Sequence, residues 1–373
     1  MIRIMEICGT HTMAIAKAGI KSLLPYDVKL ISGPGCPVCV TDSSVIDEIL
    51  KLADLPGVII ASYGDMIRVP GSARFGSESQ NAAQTRIECD SLKKRMAAGA
   101  DVRVVYSPMD ALDIARDNPD KELIFLGVGF ETTAPGTAAA IKAAASRELK
   151  NFTVLSMLKT VQAPIRALAA QADFNIDGFL CPGHVASIIG EAGFEFLPRD
   201  LSLPGVIAGF EPEEIMTAIA WLLKMIDGRN MAAVGEIKQD RKSDLKGLAN
   251  AYKRAVSKGG NLLALEMMNE VFEPGDDLWR GLGFIKDSAL KIRSEYSQFD
   301  ACVKFDLPQS RTLAMAEGGC QREKELCRCG DIICGRAEPC ICPLFSKLCT
   351  PENPVGPCMV SSEGACAAYY KYL

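Results

Sequence analysis

The chain has 373 residues, is 48% hydrophobic and carries a formal net charge of −5. This length fits two or three domains of roughly 100–200 residues each. The acidic balance excludes the basic face of a nucleic-acid binder, and no apolar run reaches the ~18 residues of a membrane span.

The N-terminus, MIRIMEICGTHT, shows no secretory-signal pattern. A cytoplasmic location is therefore expected, where clustered cysteines read as metal or redox sites rather than as a disulfide framework. Up to about residue 230, short apolar runs alternate with helical patterns. RIMEIC (3–8) reads as a buried strand and HTMAIAKAGIKSLL as a helix ending near Pro25. VKLISG (28–33) is a strand, SSVIDEILKLA (43–53) a helix and GVIIASYG (57–64) a strand. Residues 65–85, rich in Gly and Ser, form a loop. DVRVVYSP (101–108) is a strand, and MDALDIARDNP is a helix with Ser107 as its N-cap.

A second set of strands follows: ELIFLGVGF (122–130), FTVLSMLK (152–159), IDGFLC (176–181) and GVIAGF (205–210). Each precedes a helical stretch: TAPGTAAAIKAAASREL, APIRALAAQ, VASIIGEAGF and EPEEIMTAIAWLLKMIDG. Strands alternating with helices, without hairpin signals, argue for parallel sheets flanked by helices. The two sets share one element order. The expected class is α/β, with two similar parallel-sheet domains at 1–119 and 120–232 and a third region at 233–373. That region starts with a helical pattern (LKGLANAYKRAV, NLLALEMMNEVF) and becomes less regular towards residue 300. Residues 301–373, rich in Cys, Pro and Gly, have little core of their own and need a metal staple.

Nine of the fifteen cysteines fall in the last 54 residues. Cys329, Cys342, Cys349 and Cys366 are spaced C-x12-C-x6-C-x16-C. Such gaps suit loops wrapping a cubane, so an iron–sulfur cluster is the favoured reading. Structural zinc and plain buried cysteines compete with it, although C-R-C and C-I-C are tighter than the usual zinc knuckle. Cys320, Cys327, Cys334, Cys340 and Cys358 are possible substitutes or exchange partners.

GPGCPVC (33–39) lies between a strand and a helix. A helix N-terminus lowers thiol pKa, so Cys36 and Cys39 read as a thioredoxin-like dithiol in an exposed turn. A pair of buried structural cysteines is the bland alternative. Cys8 ends the first strand, and ligands bind at the carboxyl ends of parallel strands. Cys8 and the Cys36–Cys39 pair can therefore meet in one cleft, where a soft thiolate suits Fe(II) or Cu(I). The two histidines, His11 and His184, each follow a cysteine by three; either is a structural group or a proton donor near neutral pH. Asp65 and Arg68 in SYGDMIRVPG, and Glu131, Thr132 and Thr133 in GFETT, lie at strand ends. There an acid is either a general acid or a helix cap. GVGF lacks a full G-x-G-x-x-G and no Walker A lysine is present, so nucleotide binding is not indicated.

Together, RIMEICGTHT, GPGCPVC, GDMIRVPG, ADVRVVYSPMDAL, GFETT, CPGHV, GFEP, WRGLG, CPLF and SSEGACAAYY resemble the HypD family of hydrogenase maturation proteins from residue 3 to the C-terminus. The resemblance implies two similar α/β domains and a C-terminal domain with a 4Fe-4S cluster on Cys329, Cys342, Cys349 and Cys366. It implies an essential cysteine at Cys8 and a redox pair at Cys36 and Cys39. It further implies a scaffold that assembles the Fe(CN)2CO unit of nickel–iron hydrogenases, with transient Fe(II) carrying cyanide and carbon monoxide. The implied partners are a HypC-type chaperone and a HypE-type cyanide donor, with His11, His184, Asp65 and Glu131 supplying protons or hydrogen bonds. The surplus tail cysteines and the very short N-terminus depart from the pattern. A ferredoxin-linked disulfide reductase using the same sulfur groups is the alternative, and a zinc-stapled adaptor is a third reading.

Overall fold

The computed structural model describes residues 1–72, 74–75, 87–233, 247–307 and 327–373. Among them are thirteen strands: β1 (Ile2–Glu6), β2 (Val28–Ser32), β3 (Val58–Ser62), β4 (Arg74–Phe75), β5 (Ile87–Glu88), β6 (Asp101–Val104), β7 (Glu122–Gly129), β8 (Phe152–Leu158), β9 (Gly178–Pro182), β10 (Gly205–Ala208), β11 (Leu248–Asn250), β12 (Phe272–Trp279) and β13 (Gly283–Ile292). One parallel sheet runs β11-β10-β9-β1-β2 and a second runs β6-β3-β7-β8. The expected α/β class, two parallel sheets and a Cys-rich tail, is observed. β3 and β8 are buried throughout and β7 in all but its first residue, as expected for parallel strands covered on both faces.

The strands do not divide at residue 119. All of the second sheet lies within 58–158, whereas the first takes β1 and β2 from before it and β9 to β11 from after it. One α/β unit is thus inserted into the other. Strand pattern reports element order and leaves the choice of partner open, because consecutive β-α units look alike.

Local signals act as expected at several ends. Ser107 caps Pro108–Asp117 in a reciprocal capping box with Asp110, and Asp42 caps Ser43–Ala53. The first helix breaks into Gly9–Lys17 and Ile20–Leu23 at Gly19, whose φ of 63° suits glycine. Residues 65–85 begin inside a short helix, Gly64–Ile67, and Arg74–Phe75 pairs with Ile87–Glu88. The rest of that expected loop, residues 73 and 76–85, lies outside the described residues, as does Cys320.

Two expectations change. LKGLANAYKRAV does not form a helix: Leu248–Asn250 pairs with β10, and the Asn250 side chain closes the following turn on Tyr252 N and Val256 O. The less regular stretch after the helix Leu262–Val271 is an antiparallel hairpin, β12 with β13. Pro274, Gly275 and a bulge before Asp277 erase the alternation that marks a strand. The hairpin lies along β8: Thr160 N donates to Ser288 O, and Ser156 Oγ donates to Leu290 O at 2.6 Å. Lys159 and Asp277 form an ion pair of 2.7 Å with both side chains 1% exposed. The ammonium also lies 4.8 Å from the centre of the Trp279 ring. No helix among the described residues is long and apolar enough to cross a membrane.

Removing one charge from such a pair strands the other. Asp277→Leu is expected to lower the unfolding free energy by about 3–5 kcal/mol, and Asp277→Leu with Lys159→Met by markedly less. Denaturant titration of both variants tests this; equal losses would show that shape, not charge pairing, secures the hairpin.

Candidate functional site

The carboxyl ends of β1, β2, β3, β7 and β9 surround a cleft of about 450 Å³, whose walls include Cys8, Asp65, Thr132, His184 and Glu363. Cys8 follows β1 and opens the helix Gly9–Lys17. Its N–H donates to Glu6 Oε2 at 3.3 Å, and Thr12 Oγ1 donates to the other Glu6 oxygen. Gly35 presses the GPGCPVC loop against Cys8: a Cβ at residue 35 would fall 2.3 Å from Cys8 N. Burial, and then the Glu363 carboxylate, push the Cys8 thiol up to about 12.

Asp65 turns to the tail. Its Oδ2 accepts from Ser361 Oγ, Ser362 N and Ser362 Oγ at 3.0–3.3 Å. Arg68, one turn on, donates to Val360 O. These bonds bring Glu363 to the cleft wall, where Thr10 Oγ1 donates to it at 2.6 Å. Glu363, within SSEGACAAYY, is a cleft residue that sequence reasoning missed, because a lone acid beside serines and a glycine carries no chemical signal.

The two histidines come together around Phe210. Both rings stack with it, His184 at 3.8 Å between ring centres and His11 at 4.7 Å. Only His184 lines the cleft. His11 is fully buried and donates from Nε2 to Gly209 O at 2.8 Å; its Nδ1 has no partner among the described residues. Burial lowers His11 to about 4 and lowers His184 as well, so both are neutral near pH 7. Phe210, in the GFEP turn, is the residue that sequence reasoning missed here. Glu131 stands apart from the cleft although its neighbours Phe130, Thr132 and Thr133 line it. Its Oε1 accepts from Val161 N at 2.9 Å, its Oε2 is buried without a hydrogen-bond partner, and burial raises it to about 7.

Cys36 and Cys39 are joined by a disulfide. Cys36 caps the short helix Pro37–Val40 and its Sγ accepts from Cys39 N at 3.1 Å. The turn is not exposed as expected: the cysteines are 5% and 1% accessible. The tail lies over them, and the disulfide borders a small cavity with Gly9, Ile332, Cys358 and Glu363.

In the tail, Cys329, Cys342, Cys349 and Cys366 are all buried and face one apolar enclosure. Cys327 and Cys358 join them there, with the Cys358 sulfur 2.9 Å from that of Cys329. Cys334 turns away to Gly281 O, and Cys340 is exposed. A donor set of thiols alone, delivered from separate short segments, fits the soft chemistry of an iron–sulfur cluster. Among the described residues, no three Cys, His, Asp or Glu side chains are grouped as a single metal ion requires.

The sequence model of the family named HypD, described as Hydrogenase formation hypA family, matches residues 1–373. The hydrogenase maturation factor HypD of Rhodobacter capsulatus is 42% identical over 372 residues, covering 100% of this chain and 89% of that protein. Its namesake in Escherichia coli (strain K12) is 40% identical over 372 residues with the same coverage. That of Cupriavidus necator is 40% identical over 375 residues, covering 99% of this chain and 89% of that protein.

Glu131 makes a pH test possible. Its folded value of about 7 exceeds the ordinary 4.5, so its stabilising effect is complete below the lower value and is lost as pH rises through the higher one. Relative to Glu131→Gln, the wild type is expected to lose on the order of 3 kcal/mol more between about pH 4.5 and 7. Glu6 and His11 titrate alike in both proteins and cancel. Parallel pH profiles of unfolding free energy would show that Glu131 is not held in its neutral form.

Proposed function

The chain belongs to the HypD family of hydrogenase maturation factors, and we propose that it is the scaffold on which the Fe(CN)2CO unit of nickel–iron hydrogenases is assembled. It would act in complex with a HypC-type chaperone and a HypE-type cyanide donor. The observation that supports this reading best is the adjacency of three sulfur groups, with the disulfide loop pressed against Cys8 at Gly35 and the disulfide sharing a cavity with Cys358. Cys8 lines the open cleft, the Cys36–Cys39 disulfide lies behind it, and Cys358 of the tail enclosure borders that disulfide.

Iron is the cargo. Cyanide and carbon monoxide demand low-spin Fe(II), and a soft thiolate suits it. A thiol as hard to ionise as Cys8 yields its proton on metal binding. Cys8 would supply one ligand and a chaperone cysteine, entering by the open side of the cleft, a second. Neutral His184 would take up or return protons at the cleft wall, and Thr10 would hold Glu363 in place beside the iron. A 4Fe-4S cluster on Cys329, Cys342, Cys349 and Cys366 would supply electrons one at a time. Opening the Cys36–Cys39 disulfide consumes two electrons and two protons and leaves two thiols behind the Cys8 loop.

A disulfide reductase must present its disulfide to a substrate, and 5% and 1% exposure at Cys36 and Cys39 speaks against that alternative. Infrared spectra of the chain purified without air alongside its small chaperone test the proposal. Bands of metal-bound cyanide and carbon monoxide are expected in the wild type and not in Cys8→Ala, whose cluster absorbance should persist. Loss of both signals together would refute two separate sites, and an iron-replete wild type without the bands would return the reductase reading. For the tail, Cys342→Ala is expected to shed iron and melt at lower temperature, whereas Cys340→Ala should do neither. Equal iron in these two variants would remove Cys342 from the ligand set, and a colourless wild type would favour the zinc-stapled adaptor.

A further inference from the structure

The turn between β12 and β13 inserts Arg280 between the disulfide loop and the tail. On one side, Trp279 forms an antiparallel bridge with Thr41. Arg280 N donates to Val40 O at 2.9 Å, and its Nε donates to Thr41 O at 3.1 Å. Both carbonyls lie at the end of the helix that starts with the disulfide. On the other side, Gly281 packs against Gly330, the residue after Cys329, so closely that a Cβ at 281 would fall 2.5 Å from Gly330 O. Gly281 O also accepts from the Cys334 thiol at 3.3 Å. Arg280 is thereby fixed, by backbone contacts on both flanks, in the seam between the two buried sulfur groups.

Its charge is felt there. The guanidinium lies within electrostatic reach of the Cys327, Cys329 and Cys358 sulfurs. The tail enclosure is otherwise walled by thiols and apolar groups.

We propose that Arg280 is the positioning residue that sets the reduction potential of the tail's iron–sulfur group, acting through its fixed positive charge. The proposal rests on the iron–sulfur reading of the tail. Each electron added to a thiolate-held cluster adds negative charge in a low-dielectric enclosure, and a nearby fixed cation stabilises the reduced form. Net charge and hydrogen bonds around the sulfurs are established levers on such potentials. Val40 O holds the Arg280 main chain and Thr41 O holds the guanidinium at Nε, so the charge stays in place when the electron arrives or leaves.

The test uses the full chain, purified without air, as wild type, Arg280→Gln and Arg280→Lys. Iron and sulfide per chain are measured first, followed by potentiometric titration of the visible absorbance. The Gln variant is expected to titrate at a lower potential with unchanged iron, and the Lys variant close to the wild type. If Arg280→Gln fails to fold, Arg280→Met carries the neutral comparison. A neutral variant at the wild-type potential overturns the proposal. So does a Lys variant shifted as far as the neutral one, because lost contacts rather than lost charge would then explain the effect. A wild type without iron and sulfide overturns the reading of the tail itself, an outcome visible before any titration.

Discussion

The tail is tied to the loop that follows β3, and the rest of the site depends on that docking. Asp65 accepts three hydrogen bonds from Ser361 and Ser362, and Arg68 reaches Val360 O. Thr10, on the first helix, holds Glu363. These polar contacts join both sheets to a segment whose flanking Met359, Val360 and Ala365 are packed into the core. Hydrogen bonds to charged groups contribute about 1.5–3 kcal/mol each, enough to hold a short segment against its conformational entropy. Gly364 packs so close to Cys358 that a Cβ would fall 2.1 Å from the Cys358 carbonyl, so the turn carrying Glu363 and the cysteine of the enclosure move as one piece. Docking the turn thus closes the cleft wall, covers the disulfide and sets the enclosure in one step.

The inserted topology serves the same end. β1 and β9 are neighbours in one sheet and β3 and β7 in the other, though β3 to β8 interrupt the first sheet in the chain. Parallel strands deliver their following loops to one edge, and the two edges face each other across the cleft. Cys8 and His184 come from one edge, Asp65 and Thr132 from the other. The hairpin along β8 then bridges outward from the second sheet to the Val40–Thr41 carbonyls and the Cys329 helix.

Much of this was legible in residue patterns, because it depended on local signals. Strand ends marked by Cys8, Asp65 and His184 are set by neighbours a few residues away, and Ser107 announced its helix through an ordinary cap. What was not legible depended on partners distant in sequence. LKGLANAYKRAV has a helical composition, yet β10 takes Leu248–Asn250 as an edge strand. Nothing in GPGCPVC shows that Ile332 and Ile333 will cover it. Glu131 sits in the same GFETT turn as cleft residues, and only the fold shows that its carboxylate answers Val161 N. The spacing of Cys329, Cys342, Cys349 and Cys366 was legible in the sequence, but the convergence of Cys327 and Cys358 on the same enclosure is a property of the folded tail.

Burial governs the chemistry at each sulfur group, in different ways. In the enclosure, Cys327, Cys329 and Cys366 are held well above their ordinary values, a cost that coordination to the proposed cluster would offset. Cys8 is raised as well, but its cleft opens to solvent on a scale that admits a partner's side chain. A disulfide needs no such compensation: Cys36 and Cys39 are neutral when joined, and their burial is cheap until the bond is opened. Once opened, the two thiols face the same apolar surroundings, where the neutral dithiol is preferred over a thiolate. Reduction of a disulfide buried in this way would favour the uptake of two protons with two electrons. Glu363 borders both the cleft and the disulfide cavity, and burial raises its own carboxyl. One acidic side chain thus stands at the junction of the cleft that holds Cys8 and the cavity that holds the disulfide.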